Sequence, residues 1–227
     1  EKESGDKMFQ SQKNVFWQAL LITILIFSIG VISGVIHENW RANRINYLYS
    51  ISELELLDIK LQNDIYSSYD FDCKEVIKEN IKFADKIYEE AKLLGRYEKA
   101  SRLTDTIIFQ HKKYDLLRTM LLLNSIKIKN KCNASYYNLV YFYQFNNPSL
   151  DTEAKEDVFS NLLAEIKNKK GDKVLLIPIA ADNNITSVNI LMNEYNISKN
   201  ELPVILINEK IKLNNLVNIE DIEKYIP

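Results

Sequence analysis

The chain contains 227 residues, with 29 lysines and arginines against 31 aspartates and glutamates, which gives a formal net charge of −2. No block rich in lysine or arginine stands out, so the sequence gives no basis for a nucleic-acid partner. The two cysteines and two histidines are too few for a zinc site or an iron–sulfur cluster, and we predict no metal site and no cofactor.

The first predicted element is a membrane-spanning helix. Residues 15–36 contain no charged side chain. A bilayer core of about 30 Å needs about 20 apolar residues in helix, because lipid offers no partner for backbone polar groups. Trp17 and Trp40 lie near its two ends, where aromatic rings settle at headgroup depth. We predict an N-terminal tail over residues 1–14 and a transmembrane helix over 15–37, because a signal peptide has an apolar core of only about 7–15 residues.

Two glycines lie on one face of this predicted helix. Gly30 and Gly34 are separated by three residues, a spacing that lets two transmembrane backbones approach closely. The pattern indicates a possible homodimer through Gly30 and Gly34. A single helix with incidental glycines stays open as the alternative, because glycine is common in membrane helices.

Residues 38–132 show a helical period, which predicts a helical hairpin standing as a stalk on the membrane helix. The first helix continues from the membrane and ends at the polar cluster 67–72. Its predicted apolar stripe consists of Ile51, Leu54, Leu57, Leu61 and Ile65.

Two further helices complete the predicted stalk. The second starts at about Asp72 and the third spans roughly residues 104–129, with the turn between them inside 93–101. The charged residues between the apolar positions, and His111 with them, are interpreted as a solvated face.

The two cysteines lie at corresponding ends of the second and third helices. Cys73 opens one and Cys132 closes the other, so an antiparallel hairpin would bring them together. A disulfide here would close a loop of about 60 residues and contribute roughly 4 kcal/mol in the chain-entropy model. Because disulfides persist in oxidising compartments, it also predicts that the C-terminal bulk lies outside the cytoplasm. Two unrelated buried thiols remain the alternative.

The pattern changes after Cys132 to short apolar runs that alternate with helices, over residues 133–227. Four strands are predicted at residues 137–143, 173–179, 202–207 and 210–213. Helices are predicted after the first strand, over 185–195, and from the capping residue Asn218 to about Ile226. The resulting order, βαβαββα, predicts an α/β domain.

The helix after the first strand has its own predicted details. Asp151 or Thr152 can cap its N-terminus, and it ends at the turn 170–172. Its predicted buried residues are Val158, Phe159, Leu162, Leu163 and Ile166.

This order of elements, with Pro203 at the start of the last hairpin, resembles the thioredoxin family, whose first strand leads into a W-C-x-x-C motif facing a cis-proline. In this chain Phe145, Asn146, Asn147, Pro148 and Ser149 stand in that place. Pro148 matches the motif's proline and Pro203 matches the cis-proline, whereas Asn146 and Ser149 replace both cysteines. With its anchor, the chain is similar to membrane-bound thioredoxin-like proteins of archaea.

The resemblance implies a fold that cannot perform thioredoxin chemistry, which needs a thiolate at a helix N-terminus and a second thiol to resolve the mixed disulfide. It also implies a peptide-binding surface at Asn146, Asn147, Pro148, Ser149 and Pro203. We therefore expect no catalytic residue, and a redox-inactive binding or scaffold module, or a subunit of a membrane complex, with a membrane or extracytoplasmic protein partner. The alternative is a thiol-disulfide oxidoreductase or isomerase-related enzyme that uses Cys73 and Cys132.

Overall fold

The computed structural model describes residues 2–69, 71–100, 105–215 and 218–226. The chain divides into two compact units, and the division falls between Tyr47 and Leu48. The boundaries predicted from the sequence fall after residues 14, 37 and 132.

The first helix, α1, spans Lys2–Ser68. It therefore includes residues 2–14, which the sequence analysis placed in a tail. In the apolar stretch that starts at Val15, an 18-residue window has a mean hydropathy of 2.7 and no buried residue. This stretch is long and apolar enough to cross a membrane, by length and composition.

The next two helices are α2 (Cys73–Ala100) and α3 (Asp105–Cys132). The two cysteines are paired at disulfide distance, with their Cα atoms 5.4 Å apart, as predicted. The turn predicted inside 93–101 does not fall within residues 93–100, because α2 continues to Ala100, and position 101 lies outside the described residues. Leu94 is buried and Glu98 is hydrogen-bonded to Tyr49 and His111, so tertiary contacts hold these last turns in helix.

The interpretation of the stripe on α1 is also corrected. Leu54, Leu57 and Leu61 are 69%, 61% and 61% exposed. The buried face of this part of α1 consists instead of Tyr49, Ser52, Glu55, Ile59 and Tyr66.

Polar groups on this buried face of α1 find partners on α2 and α3. The Tyr49 hydroxyl donates to Glu98 Oε1 at 2.7 Å. Glu55 forms an ion pair with Lys86, and the Ile59 carbonyl accepts from Asn124 at 3.1 Å. Buried polar groups are tolerated when they are paired, so this face can pack inwards although it is less apolar than the leucine stripe.

A mixed four-stranded sheet forms the centre of the second unit. Its strands are β1 (Tyr137–Tyr143), β2 (Val174–Ala180), β3 (Val204–Ile207) and β4 (Ile211–Leu213). The spatial order is β2-β1-β3-β4. β1 pairs with β2 in parallel and with β3 antiparallel, and β4 is antiparallel to β3. The predicted α/β class and the predicted strands are confirmed.

Three helices alternate with these strands. α4 spans Leu150–Lys170, α5 spans Thr186–Glu194, and α6 spans Glu220–Glu223. α6 is shorter than predicted and ends three residues before Ile226. The N-cap residue of α6 is Ile219, not the predicted Asn218, although Asn218 Oδ1 does accept from the backbone N–H of Asp221 at 3.2 Å.

The two faces of the sheet bury different residues. On one face, Leu139 and Tyr141 of β1 belong to a buried cluster with residues of α4 and α6. Successive residues of a strand point to opposite faces, so Asn138 lies on the other face. There its Oδ1 accepts a hydrogen bond from the Ser125 hydroxyl of α3 at 2.6 Å. Helices therefore cover both faces of β1.

The α4 helix buries most, but not all, of its predicted apolar face. Phe159, Leu163 and Ile166 are buried. Val158 is 49% exposed, which contradicts its predicted burial. In a helix neighbouring residues are about 100° apart, so Val158 points away when Phe159 faces the sheet.

Contacts between α2 and the strand region explain why no boundary between compact units falls at residue 132. Tyr88 of α2 lies in the same buried cluster as Leu139 and Leu176 of the sheet. Lys167 of α4 forms an ion pair with Asp85 of α2, and its Nζ also donates to the Val174 carbonyl at 2.8 Å. The helical hairpin and the sheet therefore share one core.

Candidate binding site at the carboxyl end of the first strand

The loop that joins β1 to α4 carries most of the predicted site residues. Ser149 is the N-cap of α4, with extended backbone (φ −66°, ψ 157°) and a hydroxyl that accepts from the Thr152 backbone N–H at 3.2 Å. The prediction that Asp151 or Thr152 caps the helix is therefore wrong, because both lie inside its first turn. Ser149 and Asn147 are exposed.

Asn146 holds the loop against the segment that follows β2. Its backbone N–H donates to Asp182 Oδ2 at 2.8 Å, and the neighbouring Phe145 N–H donates to Asp182 Oδ1 at 2.9 Å. Its side-chain amide donates to Asn183 Oδ1 at 2.8 Å. Asn146 is thus held by hydrogen bonds from both its backbone and its side chain.

The structure places Pro203 at the same end of the sheet as this loop. The antiparallel register pairs Phe142 with Val204, so Pro203 lies beside the end of β1. The Leu202–Pro203 peptide bond is cis, as predicted. Pro203 is buried, so the exposed part of the predicted surface is formed by Asn147 and Ser149, with Pro148 half-buried between them.

A buried carboxylate, Asp115 of α3, connects this end of the sheet to α3. Its side chain is fully buried. Its Oδ1 accepts from Arg118 at 3.1 Å and from the Ala180 backbone N–H at 3.2 Å. Its Oδ2 accepts from the Asn183 side chain at 2.8 Å. Asp115 therefore links α3 to the end of β2 and, through Asn183, to the loop at Asn146.

His111 belongs to the same region, and its interpretation as a surface residue is wrong. It is only 4% exposed. One ring nitrogen lies 2.9 Å from Glu98 Oε1 and the other lies 2.9 Å from the Tyr143 hydroxyl. The ring also stacks on Phe145, with centroids 3.7 Å apart. His111 thus contacts both Tyr143 at the end of β1 and Phe145 of the loop.

These buried polar residues had one signal in the sequence. His111, Asp115 and Arg118 follow at steps of four and three, so they share one helical face. A polar face of this kind is equally typical of a solvated surface, which is the interpretation that the sequence favoured.

A cavity of about 500 Å³ opens next to the loop, between α2, α4 and the sheet. Its size falls in the range of small-molecule and side-chain binding pockets. Phe145 and Pro148 of the loop line it directly. Its aromatic walls are Tyr88, Tyr141, Tyr143 and Phe145, and its carboxylates are Glu98, Glu153, Glu156 and Asp157.

Glu156 is the carboxylate with the most altered ionisation. Its pKa is raised to about 7, chiefly by burial and also by the nearby Asp182, Asp157 and Glu153, against the lowering effect of the Gln144 backbone N–H. That N–H donates to Glu156 Oε1 at 2.7 Å. Glu156 therefore changes charge near neutral pH.

The arrangement suits binding better than nucleophilic catalysis. The hydroxyl of Ser149 is used as a helix cap and lies 2.9 Å from the Thr152 hydroxyl. Both nitrogens of His111 are engaged with Glu98 and Tyr143, and burial raises the pKa of the Tyr143 phenol. Within the described part of the chain, no group of three or more His, Cys, Asp or Glu residues is placed to hold a metal ion.

Comparison of the chain with protein-family models, with curated proteins and with solved structures finds no match.

Proposed function

We propose that this chain is a membrane-anchored, redox-inactive thioredoxin-like protein that acts as an extracytoplasmic binding or scaffold module, or as a subunit of a membrane complex. One observation carries the proposal. The loop at the end of β1, which the resemblance aligns with the thioredoxin motif, has Asn146 and Ser149 in place of the two cysteines, and both side chains are hydrogen-bonded beside an aromatic cavity.

The order of the elements supports the thioredoxin-like part of the proposal. β1, α4, β2, α5, β3, β4 and α6 follow one another in the order that the resemblance implies. Pro203 lies at the same end of the sheet as the loop that contains Pro148, which is where the family places its substrate strand.

The anchor and the compartment follow from two separate features. The uncharged stretch from Val15 supports a single membrane span. The pairing of Cys73 with Cys132 supports a location of the second unit outside the cytoplasm, because disulfides persist in oxidising compartments. Labelling of intact cells with a membrane-impermeant amine reagent should modify lysines of residues 48–227, and protection of those lysines would reverse this topology.

The proposal gives Cys73 and Cys132 a structural role. The disulfide lies before the start of β1, whereas the loop of Asn146 follows its end. A seven-residue strand separates the two by about 20 Å, so the disulfide is far from the proposed binding surface.

The proposal also includes a homodimer through the membrane helix. A Cβ atom built on Gly30 or Gly34 meets nothing within 4 Å, so the surface at both glycines is open to a second helix.

The test is site-specific photo-crosslinking in the native membrane. Asn147→benzoylphenylalanine places the reactive group on the exposed part of the loop, and Asp172→benzoylphenylalanine places it at an exposed position beyond the far end of α4. We expect a discrete adduct with a protein partner from position 147 and none from 172. The same adducts from both positions, or none from 147, would overturn the binding surface.

A second measurement tests the redox part of the proposal. The full chain in detergent micelles should not reduce the disulfides of insulin, because no thiol stands at the N-terminus of α4. Insulin reduction by the purified wild-type protein that is lost in Cys73→Ser would instead support an oxidoreductase.

A further inference from the structure

The cavity beside the loop combines aromatic walls with an excess of acidic groups. Four aromatic rings line it, together with Leu163, Leu176 and Pro178. Aromatic rings attract cations through the negative face of the π-system, most strongly where water is excluded. Four carboxylates line the same cavity, against two basic side chains, Lys92 and Arg118.

The two basic side chains are paired with carboxylates that do not line the cavity. Lys92 Nζ lies 3.0 Å from Glu89 Oε1, and Arg118 Nη1 lies 3.1 Å from Asp115 Oδ1. Neither Glu89 nor Asp115 belongs to the cavity wall. Both basic side chains are therefore partnered outside the wall, and Lys92 also lies over the Tyr88 ring at 5.2 Å. Glu98 is likewise engaged, with Tyr49 and His111, so the charge of a ligand is assigned to the α4 carboxylates.

Glu156 is the carboxylate whose ionisation a cation in the cavity would change most. It is half-buried, and it lies among Glu153 and Asp157 of its own helix and Asp182 of the neighbouring loop. Burial and these like charges disfavour its ionised form. A cation in the cavity would favour the ionised form and would replace the solvation that burial removed.

We propose that the cavity binds the side chain of a lysine or arginine of the partner protein, with the alkyl part between the aromatic rings and the charge at Glu156 and Glu153. This inference rests on the proposed function, because it names the chemistry by which the partner is recognised. A long basic side chain suits the site since it has an apolar stem and a charged tip.

The test compares peptides that differ only in this charge. Acetyl-Gly-Lys-Gly-amide and its norleucine counterpart have stems of nearly the same size, and only the first carries an ammonium group. With the full chain in detergent micelles at pH 8, isothermal titration calorimetry should give a Kd at least tenfold lower for the lysine peptide. Equal affinities would overturn the proposal in favour of a neutral apolar ligand. The proposal would also be overturned if neither the lysine peptide nor its arginine analogue bound.

Substitutions on one helix separate the site from general electrostatics. Glu156→Gln keeps an oxygen that can accept from the Gln144 N–H, and it should weaken binding of the lysine peptide five- to tenfold. Glu153→Gln provides a second test at an exposed position. The matched control is Glu165→Gln, an exposed residue of α4 outside the cavity wall, which should leave the Kd unchanged. An equal effect of all three substitutions would overturn the assigned site.

The dependence on pH gives an independent readout. Binding to the wild type should weaken as the pH falls from 8 to 6, because Glu156 takes up a proton, and it should be flatter in Glu156→Gln. The other titratable or charged groups that face this region are listed by element: Glu153 and Asp157 of α4, Asp182 of the loop after β2, Tyr88, Lys92 and Glu98 of α2, Arg118 of α3, and Tyr141 and Tyr143 of β1. A pH dependence retained in full by Glu156→Gln would transfer the role to one of those groups and overturn the assignment to Glu156.

The two proposals fail in different ways. Crosslinking at position 147 without binding of the lysine peptide would leave the proposed function in place and overturn the basic side chain as its ligand. Binding of the lysine peptide without crosslinking would retain the cation site and overturn the partner-binding module.

Discussion

The two ends of β1 are held by different means. At its start, the neighbouring helices α2 and α3 are joined covalently through Cys73 and Cys132. At its end, the attachment consists of hydrogen bonds, in which Asp115 and Asp182 accept from side chains and from backbone N–H groups.

The comparison shows that the two ends of β1 contribute differently to the stability and to the geometry of the protein. A disulfide restricts the unfolded chain and demands little of the surrounding side chains. A buried polar network specifies one arrangement, because each unpaired group is costly. The covalent end therefore contributes stability, and the hydrogen-bonded end fixes the geometry of the loop and of the cavity beside it.

The largest effect is expected at the covalent end. Replacement of both cysteines, Cys73→Ser with Cys132→Ser, should lower the free energy of unfolding by about 4 kcal/mol, because the closed loop is long. Urea denaturation followed by circular dichroism measures this loss. The wild type under reducing conditions serves as control and should match the variant. Full thiol labelling of both residues in native protein, denatured without reductant, would show that they are not bonded.

The next effect is expected at the centre of the polar network. Asp115→Asn leaves the buried Arg118 without its ion partner, and breaking such a pair costs several kcal/mol. We expect a loss of about 3 kcal/mol in the same urea experiment. Asp58→Asn, at an exposed position of α1, is the control and should change stability by less than about 0.5 kcal/mol. Equal losses of unfolding free energy in the two variants would show that the buried Asp115 contributes no more to stability than an exposed aspartate.

A smaller and more local effect is expected at the loop itself. Asp182→Ala removes the acceptor of two backbone N–H groups, those of Phe145 and Asn146, and should cost about 2 kcal/mol. Hydrogen exchange of these two amides should accelerate by more than that of the rest of β1. Asp172→Ala, at an exposed position, provides the comparison. Unchanged protection at both amides would mean that another group holds the loop.

The smallest effect concerns the dependence of stability on pH. Glu156 has a pKa raised from 4.5 to about 7, so between these values the folded protein retains a proton that the unfolded chain has released. Stability therefore falls as the pH rises through this window, and the loss persists above it. Glu156→Gln does not titrate and should be more stable than the wild type at pH 8, by less than about 1 kcal/mol because solvent screens a half-exposed group.

Melting temperatures at pH 4.5, 6 and 8 measure this difference. The difference should be smallest at the lowest pH, where the carboxyl is protonated in the folded protein and about half protonated in the unfolded chain. Glu165→Gln is the control on the same helix. A difference between Glu156→Gln and the wild type that does not change with pH would contradict the assigned pKa.

The strand region could be predicted from the sequence because its signals are local. β1 has the predicted bounds, 137–143, since a run of aromatic and β-branched residues next to an Asn-Pro turn indicates a strand. The start of α6 was predicted to within two residues for the same reason, as the Asn218 side chain contacts a backbone group only three residues away.

The helices of the second unit were predicted less well because several buried faces are polar. α3 buries His111, Asp115 and Arg118 in addition to its apolar side. Asp115 bonds residues 65 and 68 positions away in the sequence. No local period in the sequence distinguishes such pairing from contact with water. For the same reason the leucine stripe of α1 was predicted to face the core, although it is exposed.

The cavity could not be predicted because no single element forms it. Tyr88 comes from α2, Tyr141 from β1 and Glu156 from α4. The spacing of these residues in the sequence carries no information about the empty volume between them. Two residues of the predicted loop, Phe145 and Pro148, nevertheless line it.

The link between Cys73 and Cys132 also changes the covalent connectivity of the chain. The residues between them, 59 positions apart, form a closed ring, with the segment before Cys73 and the segment after Cys132 attached to it. A single cut of the peptide backbone inside the ring opens it without releasing a fragment. A protease that nicks the α2–α3 hairpin once would therefore leave a molecule that migrates as one species until the disulfide is reduced.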